Sequence, residues 1–317
     1  METIYFLVQQ TMLFSIPLLL VALGGMFSER SGVVNIALEG IMIIGAFTGI
    51  FFISRFGNLF SPTITLFIAI IISALSGLIF SLLHAYASIN MSADQVISGT
   101  ALNIFAPAFA IYVTRAIQVV QQISFVNNFR IESVPILGNI PIIGNLLFKN
   151  AYITTYFGFI ILALSWFALY KTRFGLRLRS CGEHPQAADS VGINVYKMRY
   201  FGVAISGALA GIGGLVFVIP TSTNFNATVA GYGFLALAVL IFGQWKPMRI
   251  LYAAFFFGLM KTLASAYSGI PILSNLPISN SVYKMIPYIT TIIVLAFTSK
   301  NSQAPKASGL PYDKSVR

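Results

Sequence analysis

The stretch KTRFGLRLRSCGEHPQAADSVGINVYKMR, residues 171–199, is the one long polar and basic segment of an otherwise apolar chain. It carries six lysines or arginines against two acids, Glu183 and Asp189. Residues 183–192 are typical of a very short helix, because Pro185 suits a first turn, Glu183 favours the positive N-terminal end and Gly192 can end the helix. An ordinary basic loop would explain the charge, whereas a short helix between proline and glycine predicts contact with a partner.

Composition assigns the chain to the membrane. Apolar residues make up 57% of the sequence, charged residues 9%, and the mean hydropathy is +0.85, so we predict a polytopic membrane protein without a soluble domain. The net charge of +11 is spread over span boundaries, which argues against a nucleic-acid partner. The lone Cys181 offers neither a disulfide framework nor a metal cluster, and we expect no bound metal. The N-terminus lacks the basic region of a cleavable signal, so the first apolar run is expected to be retained as a span.

Nine apolar segments approach the length of about 20 residues that a helix needs to cross a bilayer core. They predict an all-α polytopic membrane protein with about nine transmembrane helices, the alternatives being about eight or ten. The segments are approximately residues 5–27, 33–54, 62–83, 95–115, 151–170, 200–220, 227–244, 249–268 and 282–298.

Basic residues predict the orientation. With residues 171–199 in the cytosol, 13 of the 19 lysines and arginines fall inside, five fall outside, and Lys261 lies within a span. Cytosolic loops carry an excess of lysine and arginine. The N-terminus is therefore expected outside and the tail, residues 299–317, in the cytosol.

The chain also repeats itself. GLIFSLLHAY at 77–86 matches GLMKTLASAY at 258–267, and NIALEG at 35–40 parallels NATVAG at 226–231. The matched spans lie five apart, so the copies would run in opposite directions, which is the inverted-repeat plan of many transporters. We therefore expect one transmembrane domain over residues 1–317, with repeat A at about 5–115 and repeat B at about 200–298. Apolar sequences align easily, and a chance match is the alternative.

Several strings resemble a known family. They are ERSGVVNIALEG at 29–40, TRFGLRLR at 172–179, Ala187-Ala188 through Gly192, SGALAG at 206–211 and GLPYD at 309–313. Together they resemble the permease subunits of bacterial ABC importers in the branched-chain amino acid and ribose superfamily, nearest the nucleoside (purine nucleoside) branch. The resemblance implies a type II importer fold in the bacterial cytoplasmic membrane and inward transport of nucleosides. Riboflavin or a sugar is the alternative substrate within the same class.

The resemblance also implies partners. The short helix would be a coupling helix that docks on a cytosolic ATPase subunit, through Glu183, Pro185, Ala187, Ala188 and Gly192. Since the chain lacks a G-x-x-x-x-G-K-[ST] phosphate loop, ATP and Mg²⁺ would be bound by that separate subunit, and this chain would not be an enzyme. An extracellular substrate-binding lipoprotein and a second, longer permease subunit, forming a heterodimer, would complete the importer.

Polar residues within the spans are candidates for the substrate pathway. Glu39, about six residues into a predicted span, is costly there unless it faces a cavity or a partner. Asn35 lies one helical turn earlier on the same face, so the pair either lines the pathway or holds a broken helix end. Asn103 and Asn226 are expected as buried amides that bind substrate or a neighbouring helix. Lys261 is a further candidate, with snorkelling to the outer surface as the alternative.

Small residues in the sixth predicted span indicate close packing. Gly207, Gly211 and Gly214 belong to a small-xxx-small ladder, which lets helix backbones approach each other. In the predicted outer loops, PILGN at 135–139 and PIIGN at 141–145 are echoed by PILSN at 271–275. These apolar turns are expected either to form a platform for the binding lipoprotein or only to contact lipid headgroups.

Two other classes of function remain open. An ion-coupled secondary transporter would share the inverted repeat and would need a coupling residue, for which Glu39 is the candidate. An intramembrane enzyme is disfavoured, because the two histidines, His84 and His184, have no evident nucleophile partner and neither H-E-x-x-H nor G-x-S-x-G occurs.

Overall fold

The computed structural model describes residues 2–134, 138, 140–141, 144–267, 279–298 and 303–314. The helices of these residues are α1 (Glu2–Arg30), α2 (Leu38–Phe56), α3 (Pro62–Ile89), α4 (Gln95–Gln118), α5 (Ile153–Lys171), α6 (Arg173–Glu183), α7 (Pro185–Ser190), α8 (Val195–Thr221), α9 (Tyr232–Phe242), α10 (Pro247–Ala266) and α11 (Asn280–Thr298). Four short strands, β1 (Ile123–Ser124), β2 (Arg130–Ser133), β3 (Lys149–Tyr152) and β4 (Asn224–Phe225), pair antiparallel as β1 with β4 and β2 with β3.

The predicted helical architecture is confirmed in its coarse form. Within the described ranges, seven helices are long and apolar enough to cross a membrane, namely α1 to α5, α8 and α10. The segments predicted at 227–244 and 282–298 coincide with shorter apolar helices, α9 and the 281–294 part of α11. The nine-span count is therefore not established by helix length. At α9 the difference has a local cause, because apolar composition does not show that the helix begins only at Tyr232.

Helix α8 lies at the centre of the molecule and packs against α1, α2 and α3. The glycines of α8 allow the neighbouring helices to approach it closely. A Cβ atom built on Gly211 would overlap the carbonyl oxygen of Ser73 in α3, and one on Gly214 would overlap that of Met42 in α2. Gly207 meets α3 about two turns further along. The glycines singled out in the sequence lie where main chains touch, at a distance that no larger residue allows.

The chain is not helical just before α2 and α9. Residues 31–37 link α1 to α2, and residues 222–231 link α8 to α9. The second link passes through the β1–β4 pair, and beyond it the buried Ala227 and Val229 alternate with the exposed Thr228 and Ala230. Helix α9 begins at the buried Tyr232, and its 11 residues cover about 16 Å, about half of a bilayer core.

The basic segment forms two helices where one was predicted. The side chain of Thr172 accepts a hydrogen bond from the Gly175 N–H and so caps α6. This helix lies where the sequence predicts a loop. The short predicted helix is α7, with Pro185 in its first turn and Gly192 beyond its end at a φ of 82°. Glu183 is the last residue of α6 and does not begin α7, because His184, the residue before Pro185, lies outside the helical region and separates the two helices.

The outer connections are described in part. The strands β2 and β3 flank the two tandem turns predicted at 135–139 and 141–145, most of whose residues lie outside the described ranges. The third turn, 271–275, lies wholly outside them.

Candidate functional site

Glu39 joins the starts of two helices. It is 8% exposed and lies in the first turn of α2, since residues 33–37 before it are not helical. Its two carboxylate oxygens accept hydrogen bonds from the backbone N–H groups of Gly231, at 2.9 Å, and Gly233, at 2.6 Å. Those amides open α9 and have no partner within that helix, and the positive end of a helix favours an anion. Glu39 therefore caps α9 from α2.

The two helix starts are in direct contact. A Cβ atom on Gly233 would overlap the backbone nitrogen of Glu39, so only glycine permits this approach. We call this contact the junction, formed by Glu39 with Gly231 and Gly233.

Asn103 performs a similar capping role at the start of α2. Its side-chain oxygen accepts a hydrogen bond of 2.7 Å from the Gly40 N–H, and its amide nitrogen donates one of 2.8 Å to the Ile36 carbonyl. Gly40 and Gly231 occupy the same position in the two parallel six-residue segments. In each copy a side chain thus accepts from the amide of that glycine.

Asn35 reaches a different helix from Glu39. It is 1% exposed, and its amide nitrogen donates a hydrogen bond of 2.9 Å to the Ser206 hydroxyl in α8. Its side-chain oxygen has no hydrogen-bond partner among the described residues. The expectation that Asn35 and Glu39 share a helical face was wrong, because the chain becomes helical only at Leu38.

Asn226 and Lys261 differ in exposure and in their surroundings. Asn226 is exposed, contrary to the expectation of a buried amide, because the chain leading into α9 starts at the surface. It lines an open cleft of about 830 Å³ together with Arg115, Gln121 and Gln122. Lys261 is half-buried in α10, with its Nζ 5.7 Å from the ring centre of Tyr232, the residue between the two junction glycines.

The two alanines of α7 face opposite ways. Ala187 is exposed, whereas Ala188 is 3% exposed and packs with Cys181, Val195 and Tyr312. Burial raises the pKa of the Cys181 thiol to about 11, which keeps it protonated and unreactive at neutral pH. The outward surface of α7 and its end consists of Gln186, Ala187, Ser190 and Val191.

The C-terminal segment lies across the base of α7. We call residues 303–314 the strap. The Ala307 N–H donates to the Gly182 carbonyl at 2.8 Å, and the Gly309 N–H donates to the Gly32 carbonyl at 3.2 Å. The ring of Tyr312 lies 5.4 Å from that of Tyr196, centre to centre. The strap thus connects α6, α8 and the turn after α1, and no pattern in the sequence predicts these contacts.

At the far end of α9, four side chains from three parts of the chain meet. The Trp245 indole N–H donates to the Glu29 carboxylate at 2.6 Å, and Arg30 Nη2 donates to the Trp245 carbonyl at 3.0 Å. Arg30 Nη1 also lies 3.6 Å from Glu183 Oε1 at the end of α6. We call this group the joint. Glu29 and Arg30 belong to the string that carried the resemblance, but their partners are distant in sequence.

Comparisons with known proteins place the chain in a family. The family model described as branched-chain amino acid transport system, permease component, matches residues 7–295. The nucleoside ABC transporter permease protein NupC of Lactococcus lactis is 42% identical, covering 99% of this chain and 98% of its own.

Two further relatives extend this result. The guanosine ABC transporter permease protein NupQ of Bacillus subtilis is 44% identical over 98% of this chain and 97% of its own. The putative glucose ABC transporter permease protein TsgC13 of Haloferax volcanii is 29% identical over 88% and 87%. No solved structure matches the chain. The family match over most of the sequence and two nearly full-length relatives above 40% identity show that the chain belongs to the family of branched-chain amino acid transport system permease components.

Proposed function

We propose that this chain is the membrane-spanning permease subunit of an ATP-driven importer that moves nucleosides inward from an extracellular binding protein. The observation that carries the proposal is the nearly full-length similarity, at 42% and 44% identity, to permeases named for nucleosides and guanosine. Members of this family are transport components, not enzymes, and with its long apolar helices the chain is a multi-pass protein of the cell membrane. The sugar alternative has weaker support, since the glucose relative is 29% identical.

Two aligned contacts support the inverted repeat within a single domain over residues 1–317. Gly77 in α3 lies against the Gly207 carbonyl of α8, and its counterpart Gly258 in α10 lies against Ser15 of α1. Four residues after each glycine, a hydroxyl group faces the same helix. Ser81 donates to a carbonyl of α8 at 3.2 Å, and Thr262 accepts from a hydroxyl of α1 at 3.4 Å. In this arrangement α9 and α11 count as membrane elements, which brings the total to about nine.

The junction is the proposed centre of the substrate pathway. In inverted-repeat transporters, substrates bind where interrupted helices of the two halves meet near the midplane. A neutral nucleoside has no charge for Glu39 to balance, and both its oxygens already accept from main-chain amides. Glu39, Asn35 and Asn103 therefore act in this proposal by holding the pathway walls. Asn226 lies in the open cleft on the proposed outer approach.

Partners and orientation follow from the same proposal. The exposed face around Ala187 would dock on the ATPase subunit, which would hold ATP and Mg²⁺. The joint, α7 and the strap lie at one end of the molecule, which we assign to the cytosol, with the N-terminus outside. A second permease subunit would cover part of the apolar surface of α4, where Ile104 is 69% and Tyr112 is 73% exposed.

The other classes of function gain no support from the site. His84 is buried, and its two ring nitrogens lie 2.9 Å from the Ser98 hydroxyl and the Val34 carbonyl, which is a packing role. The carboxylate of Glu39 is occupied by amides, which disfavours its use for proton coupling.

Uptake by the assembled complex tests the proposal. The permease, its ATPase and its binding protein would be reconstituted in vesicles, and accumulation of labelled guanosine, adenosine, glucose and riboflavin would be measured. We expect ATP-dependent accumulation of nucleosides, and none with an ATPase subunit whose phosphate-loop lysine is replaced. Accumulation of glucose or riboflavin alone would reject the nucleoside assignment. Uptake of a nucleoside without ATP would reject the ATP-driven mechanism.

A further inference from the structure

We propose that the joint, formed by Glu29, Arg30, Glu183 and Trp245, transmits movement of α7 to α9 and so to the junction at Glu39. This inference rests on the proposed import function. It assigns to these four side chains a positioning role in transport, with no contact to the substrate.

The first link connects α7 to the end of α1. Glu183 ends α6 one residue before the break at His184, and α7 follows at Pro185. The ion pair of Glu183 with Arg30 is supported by main-chain packing, since a Cβ atom on Gly182 would overlap the Arg30 carbonyl oxygen. The base of α7 and the end of α1 therefore move together.

The second link connects α1 to the turn after α9. Trp245 is 4% exposed, and two of its hydrogen-bonding groups are held by α1: the indole N–H donates to Glu29 and the carbonyl accepts from Arg30. Arg30 uses Nε as well, at 3.3 Å from the same carbonyl. The Arg30 guanidinium is charged, and a hydrogen bond with one ionised partner is about twice as strong as a neutral one. Gln244 and Trp245 both take left-handed backbone angles, with φ of 50° and 53°, which aims that carbonyl at Arg30.

The third link is α9 itself. It carries no proline, and its one glycine, Gly233, lies in the first turn against Glu39. A short helix held at both ends transmits a displacement along its axis instead of bending, because its backbone hydrogen bonds are closed within the segment. Glu29 at one end and Glu39 at the other are about 16 Å of helix apart. A shift of α7 thus has a continuous route to the junction.

A joint that only stabilised the fold would show the same contacts, so the test must separate coupling from stability. The measured quantity is the ratio of nucleoside imported to ATP hydrolysed in the reconstituted complex. Loss of assembled complex lowers both terms in proportion and leaves this ratio unchanged. Loss of transmission lowers the ratio.

The main variant is Arg30→Gln, and its matched control is Arg249→Gln, which removes an exposed arginine near the same turn. We expect the ratio to fall about fivefold or more in Arg30→Gln, within the usual range of coupling between sites. Arg30→Lys keeps the charge beside Glu183 and one donor for the Trp245 carbonyl, and should restore part of the ratio. The control should match the unaltered complex.

A second pair of variants is milder, so that the proposal can be tested even if Arg30→Gln prevents assembly of the complex. Glu183→Gln removes the charge that pairs with Arg30, from a side chain that is 41% exposed, and keeps one oxygen that can accept from the Lys306 N–H. Asp189→Asn removes the other acid of the same segment. We expect the ratio to fall in the first variant and not in the second. An unaltered ratio in both Arg30→Gln and Glu183→Gln would overturn the proposal. An equal fall in Asp189→Asn would also overturn it, because the effect would then come from charge at the docking surface. Failure of the unaltered complex to import nucleosides would instead reject the proposed function.

Discussion

The starts of α2 and α9 come from parallel segments, NIALEG and NATVAG, yet they are held in different ways. The start of α2 is capped by Asn103, a neutral amide from α4 in the same half of the chain. The start of α9 is capped by Glu39, a carboxylate from the other half, where its own segment has Ala230 at the aligned position. Asn103 connects α4 to α2 within the N-terminal half of the chain, whereas Glu39 connects α2 to α9 in the C-terminal half. The two segments that align in the sequence are thus unequal at the contact between them.

The largest effect is expected at the charged cap. Glu39→Leu leaves the amides of Gly231 and Gly233 without their acceptor, at about 1–3 kcal/mol for each buried amide. Thermal unfolding of the purified complex should shift down, and nucleoside uptake should be lost. Glu39→Gln keeps one acceptor oxygen, so its loss of stability should be smaller. Equal stability of Glu39→Leu and the unaltered complex would show that the carboxylate does not hold α9.

The neutral cap should matter less. Asn103→Leu removes two part-buried hydrogen bonds between uncharged groups, each contributing about 0.5–1.5 kcal/mol, and so should cost about 1–3 kcal/mol in total. Asn103→Asp keeps the acceptor for Gly40 but cannot donate to Ile36, so it should lie between Asn103→Leu and the unaltered chain. The same unfolding measurement checks both variants. A larger loss in Asn103→Leu than in Glu39→Leu would reverse the comparison.

Substitution of the aligned glycines, Gly40 and Gly231, by alanine should lower stability for different reasons. A Cβ atom on Gly40 would lie 2.7 Å from the Leu102 carbonyl oxygen, so Gly40→Ala crowds α4 and should cost about 1–3 kcal/mol. A Cβ atom on Gly231 meets nothing within 4 Å, but its φ of 77° disfavours alanine by about 1 kcal/mol. Unfolding of the two variants measures the difference. A larger loss in Gly231→Ala would contradict the assignment of crowding to α2.

The mildest change tests the orientation of the chain in the membrane. A cysteine at the exposed Asn226 should react with an impermeant maleimide added outside, and one at the exposed Ala187 should react only after permeabilisation. Native Cys181 need not be replaced, since at its pKa of about 11 the reactive thiolate is scarce at pH 7 and increases only as the pH rises. Reaction of the Ala187 cysteine from outside would invert the orientation.

The sequence predicted the apolar segments well, because hydrophobic periodicity depends on residue types alone. It also indicated Glu39, Asn35 and Asn103 as unusual polar residues. It could not identify what they bind, since the partners of Glu39 and Asn103 are mostly main-chain groups, which have no residue type to signal them. Glu39 and Gly231 are 192 positions apart.

Other differences have equally local causes. The helix α6 depends on one capping hydroxyl, Thr172, within a segment whose charge suggested a loop. Asn226 was expected to be buried, and it is exposed because it lies in the non-helical link before α9, which begins at Tyr232. Ala187 and Ala188 are the same residue type and differ in burial, because Ala188 packs against side chains that include Tyr312.

The strap also sets an order of events during synthesis. Its bonds to Gly182 and Gly32 come from Ala307 and Gly309, which the ribosome adds after all the spans. The support beneath α7 therefore forms only after every described helix has been synthesised. A chain that terminates after α11 contains every described helix but lacks these contacts, so nascent and truncated chains present an unfinished surface to the other subunits.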